Sequence, residues 1–174
     1  MSGMITRLRT LFSKFFALAL FTAFLVGANG WEDRSPLLSS SLFLAGAVLA
    51  GIAAIGRTWC TLYIAGYKRE HLITVGPYSV TRNPLYFFSM LGSVGVALAT
   101  ETLSIPLIII VAFALYYPAV IRREESRLRE FHQGAFEEYF ARVPRFFPRW
   151  SLFTEPEDYV VKPIVFRRHI MSAL

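Results

Sequence analysis

"NPLYFFSMLGSVGVALATETLSIPLIIIVAFALYYPAVIRREE", Asn83 to Glu125, decides the fold. Glu101 is the only charged residue between Arg82 and Arg122, and it divides the stretch into uncharged runs of 18 residues (83–100) and 20 residues (102–121). About 17–25 mostly apolar residues suffice for a helix to cross the hydrocarbon of a bilayer. Neither run alternates with period two, as a barrel strand would. A connection as short as "TETLS" makes the two helices an antiparallel hairpin. Asn83 and Arg122, at the ends away from the turn, therefore return to the same depth and near the same place.

Two further uncharged runs precede the hairpin, 17 residues at 15–31 and 22 at 35–56. The composition agrees: 55% hydrophobic and 17% charged, against about 45–50% and 25% in soluble domains. The expected fold is all-α, a polytopic membrane helical bundle of about four transmembrane helices (12–31, 37–56, 84–100 and 103–121). A polar loop at 68–83 and a cytoplasmic C-terminal region, 122–174, with an amphipathic helix complete a single membrane domain spanning 1–174. With both termini cytoplasmic, Arg34 is the only one of the 18 Lys and Arg residues left outside, a strong positive-inside bias. A bacterial inner membrane is the expected location. The net charge of +6 then needs no nucleic-acid partner, since anionic headgroups attract basic residues at that face. Residues 1–31 also match a cleaved signal or presequence. A retained segment fits the even number of crossings better.

Smaller signals fill in the rest. Gly46, Ala50, Gly51, Ala54 and Ile55 recur at helical spacing and predict close helix packing. Pro36 suits a first helical turn. The helix that includes Gly56 can continue past Arg57 toward Tyr67. Ile121, Leu128, Phe131, Ala135 and Tyr139 predict the apolar stripe of an amphipathic helix from Ala119 to about Arg142, weakened at Gly134. "VPRFFPRW" (143–150) breaks regular structure, and its arginines suit phosphate headgroups. The apolar, basic tail from Tyr159, interrupted by Pro163, suits a membrane surface. Cys60 alone can form neither an intramolecular disulfide nor a multi-cysteine metal site and is expected to pack. His71, His132 and His169 are scattered, and no metal site is expected.

The chemistry is expected where "GPYSVTRNPLY" (76–86) meets Glu124-Glu125. Gly76-Pro77 is a turn signal, and Asn83 and Pro84 suit the N-cap and first position of a helix. The hairpin brings Arg82 and Asn83 to the same rim as the two carboxylates. A helix N-terminus and a cation facing two acids can hold a zwitterion of the amino-acid type. A lipid-facing loop and a solvated charged helix end are the plainer readings of each feature taken separately.

"GPYSVTRNPLY", a helical hairpin, then "EESRL…FEEYFARVPRFFP" resemble the isoprenylcysteine carboxyl methyltransferase family and the phospholipid N-methyltransferases, over about residues 59–150. The resemblance implies S-adenosyl-L-methionine as cofactor, bound by Gly76, Pro77, Tyr78, Arg82, Asn83, Tyr86, Glu124 and Glu125, with Arg82, Glu125 and Tyr86 as catalytic residues. Within it, Glu125 is expected at the cofactor ammonium and Arg82 at its carboxylate or at the acceptor. Asn83 stands where the family pattern has histidine, so no base titrating near neutrality is available there. Phe131-His132-Gln133-Gly134 replaces the usual Phe-Gly. The implied activity is methylation of a lipophilic, membrane-bound acceptor, first of all O-methylation of a carboxylate. A phosphoethanolamine lipid or a small thiol is an alternative acceptor, and a non-enzymatic membrane scaffold is the alternative of another class.

Overall fold

The computed structural model describes residues 35–67 and 71–173. The first expected crossing, 12–31, the signal-like segment and part of the 68–83 loop lie outside the described residues. Every regular element among those described is helical: α1 (Pro36–Ile64), α2 (Pro77–Val80), α3 (Pro84–Leu98), α4 (Ser104–Arg142) and α5 (Pro163–Ala173), with a 3-10 turn at Trp150–Leu152. Helices α1 and α4 are long and apolar enough to cross a membrane, whereas α3, at 15 residues, is a shorter apolar helix.

Helix α1 starts on Pro36, whose fixed φ suits the first turn, and runs 29 residues without a break past Arg57. Its inward stripe is Ser39, Gly46, Ala53, Gly56, Cys60 and Tyr63, all buried, at the spacing of one helical face. The expected small-residue stripe is half corrected: Gly46 faces inward, but Gly51, Ala54 and Ile55 are exposed. Small side chains mark helices that approach closely, yet they also occur on faces turned to lipid.

Two compact units share these helices. In the first, built from residues up to Ala50 and Ser93–Leu115, α1 and α3 meet backbone to backbone. A Cβ on Gly46 would collide with the Gly95 carbonyl and the Ala99 amide, so only glycine permits the approach. Ala97, Ile105 and Ile109 form its core with Val94 and Phe113. At the hairpin turn Glu101 adopts a left-handed φ of 61° and its carboxylate accepts the Ser39 hydroxyl.

The second unit, Gly51–Gly92 with Tyr116 onward, carries everything expected of a site. The separate fourth crossing and amphipathic helix expected at 103–121 and 119–142 are one 39-residue helix, α4, continuous through Pro118 and Gly134. Its buried positions within this unit are Ile121, Glu125, Phe136 and Tyr139. Phe131, 75% exposed, and Ala135 lie outside the stripe, which corrects the expected face. The inward face contains a charge, Glu125, and a purely apolar pattern skips over it. Pro163, expected to interrupt the tail, opens α5 instead.

Candidate functional site

The "GPYSVTRNPLY" stretch is buried, not a lipid-facing loop: Tyr78, Ser79, Val80, Thr81 and Asn83 are all below 8% exposed. A buried segment with one short helix has backbone groups that need partners. They are supplied by residues 144–154, which run alongside as a strap. The Arg82 amide donates to the Pro144 carbonyl at 2.9 Å, the Arg149 amide to Val80 at 2.9 Å and the Gly76 amide to Thr154 at 2.8 Å. Side chains add Thr81 Oγ1 to the Phe146 carbonyl at 3.0 Å and Asn83 Nδ2 to the Arg145 carbonyl at 2.9 Å. Gly76 turns the chain at φ 59°, where a Cβ would strike the Tyr63 ring. Both conditions require glycine.

Asn83 occupies the cap position, its carbonyl accepting the Phe87 amide at 3.1 Å. Its side-chain amide is spent on the strap, so the residue anchors as well as caps. Arg82 is almost wholly enclosed, with its side chain 7% exposed. Its Nε lies 3.2 Å from Glu125 Oε1, one terminal nitrogen donates to the Phe140 carbonyl at 2.9 Å, and the guanidinium sits 3.9 Å over the Phe140 ring. Arg145 reaches the other Glu125 oxygen at 3.1 Å. Burial pulls the Arg82 pKa down, and the Glu125 charge opposes that shift. A guanidinium stays cationic regardless. Arg145, expected at headgroups, thus completes a three-residue ion cluster.

A cavity of about 290 Å³ opens in this unit, just below the roughly 300–1,000 Å³ usual for ligand sites. Of the expected site residues Tyr78, Arg82, Asn83, Tyr86 and Glu124 line it. Gly76, Pro77 and Glu125 are not among the residues that line it. Gly76 and Pro77 shape the turn, and Glu125 is engaged by two arginines. Glu124 is the carboxylate on the wall, and it accepts the Tyr86 hydroxyl at 2.8 Å. Tyr86 in turn packs edge-on against Tyr117, with ring centroids 5.1 Å apart.

Tyr78 and Tyr139 are joined along the same lining. The Tyr139 hydroxyl donates to the Tyr78 carbonyl at 2.7 Å. Burial raises the pKa of both phenols, so each remains a neutral donor. The Tyr78 hydroxyl is buried and has no hydrogen-bond partner among the described residues. An unpartnered buried donor costs about 1–3 kcal/mol, and Tyr78 is one of the residues that line the cavity. Tyr78→Phe is therefore expected to leave thermal stability unchanged or slightly raised while weakening ligand binding about tenfold. Thermal unfolding and equilibrium binding in detergent measure the two separately, and a parallel fall in both would assign the hydroxyl to the fold.

Arg57, Ser89, Tyr117, Leu128 and Tyr139 also line the cavity and were not expected there as ligand contacts. Arg57 carries a signal, being the only charge between Ser35 and Tyr67. Among the described residues no group of three or more His, Cys, Asp or Glu is placed to hold a metal ion.

A phospholipid methyltransferase family model matches residues 37–134, more than half of the chain. The chain belongs to the phospholipid methyltransferase family. Two curated relatives are similar over 70% of their length. The nickel-cobalt-cadmium resistance protein NccN of Alcaligenes xylosoxydans xylosoxydans is 40% identical over 153 residues, covering 87% of this chain and 70% of the relative. The cobalt-zinc-cadmium resistance protein CzcN of Cupriavidus metallidurans is 39% identical over 157 residues, covering 89% and 70%. No solved structure matches. The family match ends at Gly134, before the strap that holds Arg82 and Asn83. Family membership and the apolar helices α1 and α4 together make this a membrane-associated protein of methyltransferase ancestry.

Proposed function

We propose that this chain is an integral membrane methyltransferase that uses S-adenosyl-L-methionine to methylate a lipophilic acceptor. One observation carries the reading: a cavity lined by a carboxylate, Glu124, an enclosed cation, Arg82, and Tyr78, whose buried hydroxyl has no partner among the described residues. That donor set fits a zwitterion attached to a larger, partly apolar body. Glu124 would hold the ammonium, in place of Glu125, and Arg82 and Tyr78 would hold the carboxylate or other acceptor atoms. Glu125 positions Arg82 and does not touch the ligand. When bound, the cofactor supplies a methyl already activated by its sulfonium.

The chain's own task is then to orient and to exclude water, which in favourable cases contributes roughly 7–11 kcal/mol. The apolar walls from Ile64, Leu85 and Leu128 serve the second purpose. A carboxylate acceptor needs no base, and O-methylation remains the first choice. An amine acceptor would lose its proton to Glu124. The enzyme crosses the membrane about four times, with its termini in the cytoplasm of a bacterial cell and the acceptor entering from the bilayer. The relatives' names speak of resistance to metal ions. A role of that kind would reach this chain through the methylated product.

The test is incubation of purified protein with methyl-labelled S-adenosyl-L-methionine and total lipid extract, followed by identification of the labelled species. Label in a lipid carboxyl ester is the expected result, label in an amine or thiol changes the acceptor, and no saturable cofactor binding leaves a membrane scaffold.

A further inference from the structure

Arg57 stands in an uncharged run, with 22 uncharged residues before it and ten after it. It lies seven residues inside the Ile64 end of α1, roughly 10 Å along the helix at 1.5 Å per residue. A cation at such a position is costly and is normally found facing protein or a polar cavity, with a partner. The usual escape is to extend the side chain back to the headgroups. Arg57 does not do this. It lies beside the inward stripe of Ala53, Gly56 and Cys60 and lines the cavity together with Ser89, Tyr117, Tyr86 and Glu124.

Its hydrogen-bond partner is neutral. A terminal nitrogen of Arg57 donates to the Ser89 hydroxyl, and that hydroxyl donates onward to the Leu85 carbonyl at 2.6 Å. Among the described residues no carboxylate lies within ion-pair distance of Arg57. Arg82, the cavity's other cation, is neutralised by Glu125. Glu124 is bonded to Tyr86. The cavity thus has a carboxylate suited to an ammonium and, separately, a guanidinium whose charge no side chain among the described residues matches. A guanidinium offers five donors in a planar fork that suits a carboxylate or phosphate.

We propose that Arg57, steadied by Ser89 and flanked by Tyr117, is the receptor for an oxyanion on an amphiphilic ligand whose apolar part lies in the bilayer. The oxyanion is a carboxylate or a phosphate. Calling that amphiphile the methyl acceptor rests on the methyltransferase reading, but its binding does not. If the oxyanion is a carboxylate, it is the group to be methylated. If it is a phosphate, Arg57 grips the acceptor beside its reacting group.

Three photoactivatable probes of equal chain length test this on the full chain in phosphatidylcholine nanodiscs: a fatty acid, a phosphatidic acid and an uncharged fatty alcohol. Labelled peptides are mapped. At least one anionic probe is expected to label residues around Ser89 or Tyr117 at least tenfold more than the alcohol does, and which one it is separates carboxylate from phosphate. Arg57→Gln is expected to erase that preference and Arg57→Lys to retain part of it. Ser89→Ala, which keeps the charge and removes only its support, is expected to lower the preference severalfold, so the result survives misfolding of the Gln variant. Equal labelling by all three probes, or an unchanged preference in Arg57→Gln and Ser89→Ala, overturns the proposal. Binding of labelled S-adenosyl-L-methionine to the same nanodiscs is read in parallel. Its absence would remove the methyltransferase reading while leaving the labelling result to decide the oxyanion site.

Discussion

Glu125→Ala is expected to destabilise the protein by about 3–5 kcal/mol, the cost typical of removing one partner from a buried ion pair. The side chains of Arg82 and Glu125 are 7% and 9% exposed, so an abandoned Arg82 cannot turn to water. It would keep the Phe140 carbonyl and the Phe140 ring, but neither supplies a negative charge. Arg145 contributes less to the loss, because its side chain is 45% exposed and can resolvate. For a chain of 174 residues such a loss corresponds to a fall in Tm of roughly 10 °C, measurable by thermal unfolding in detergent. Removing both charges together, in Arg82→Met with Glu125→Met, is expected to recover most of that stability, because an apolar pair of similar volume is often neutral or better. Ligand binding would stay lost. A change below about 1 kcal/mol in Glu125→Ala, the range of an exposed pair, would mean that the cluster is open to solvent.

Glu124→Gln is expected to act in the opposite sense, on binding and not on the fold. Glutamine keeps the shape and an acceptor oxygen for Tyr86, so Tm should move little. The ammonium of S-adenosyl-L-methionine would lose its countercharge in a partly enclosed site. Losing one partner of such a pair costs about 2–4 kcal/mol, or ~30- to 1,000-fold in Kd. Equilibrium binding of labelled cofactor to Glu124→Gln and Glu125→Gln separates the two acids. Wild-type affinity in Glu124→Gln, with loss confined to Glu125→Gln, would move the ammonium to the acid that this structure gives to Arg82 and Arg145.

The hairpin was legible because a single acid, Glu101, interrupts 38 otherwise uncharged positions, 18 on one side and 20 on the other. The convergence of Arg82 with Glu125 followed from the equal lengths of those runs, whereas the bond from Tyr86 to Glu124 was not foreseen. The division of labour between the two acids did not follow from them either. Adjacent helical residues point about 100° apart, and only the packing decides which of them meets the cavity. The inward face of α4 was misread at Phe131 and Ala135 because that face contains a buried charge, Glu125, which a purely apolar pattern skips over. Phe136 and Tyr139 mark it in the structure. Asn83 does precede the first residue of α3, but its bond to Arg145 was hidden, as was the whole strap. Main-chain hydrogen bonds such as Arg82 to Pro144 leave no side-chain pattern in a sequence.

The strap also fixes when the protein becomes competent. Loop 76–83 emerges during synthesis 62 to 78 residues before its partners in Pro144 to Thr154, the segment that satisfies its amides and carbonyls. Until translation has passed Thr154, those groups have only water or headgroups for partners, and the loop cannot settle into its buried form. The helices can insert one after another as they leave the ribosome. The pocket is the last part to mature, and a nascent chain halted within 143–154 would be embedded in the bilayer yet unable to grip a ligand.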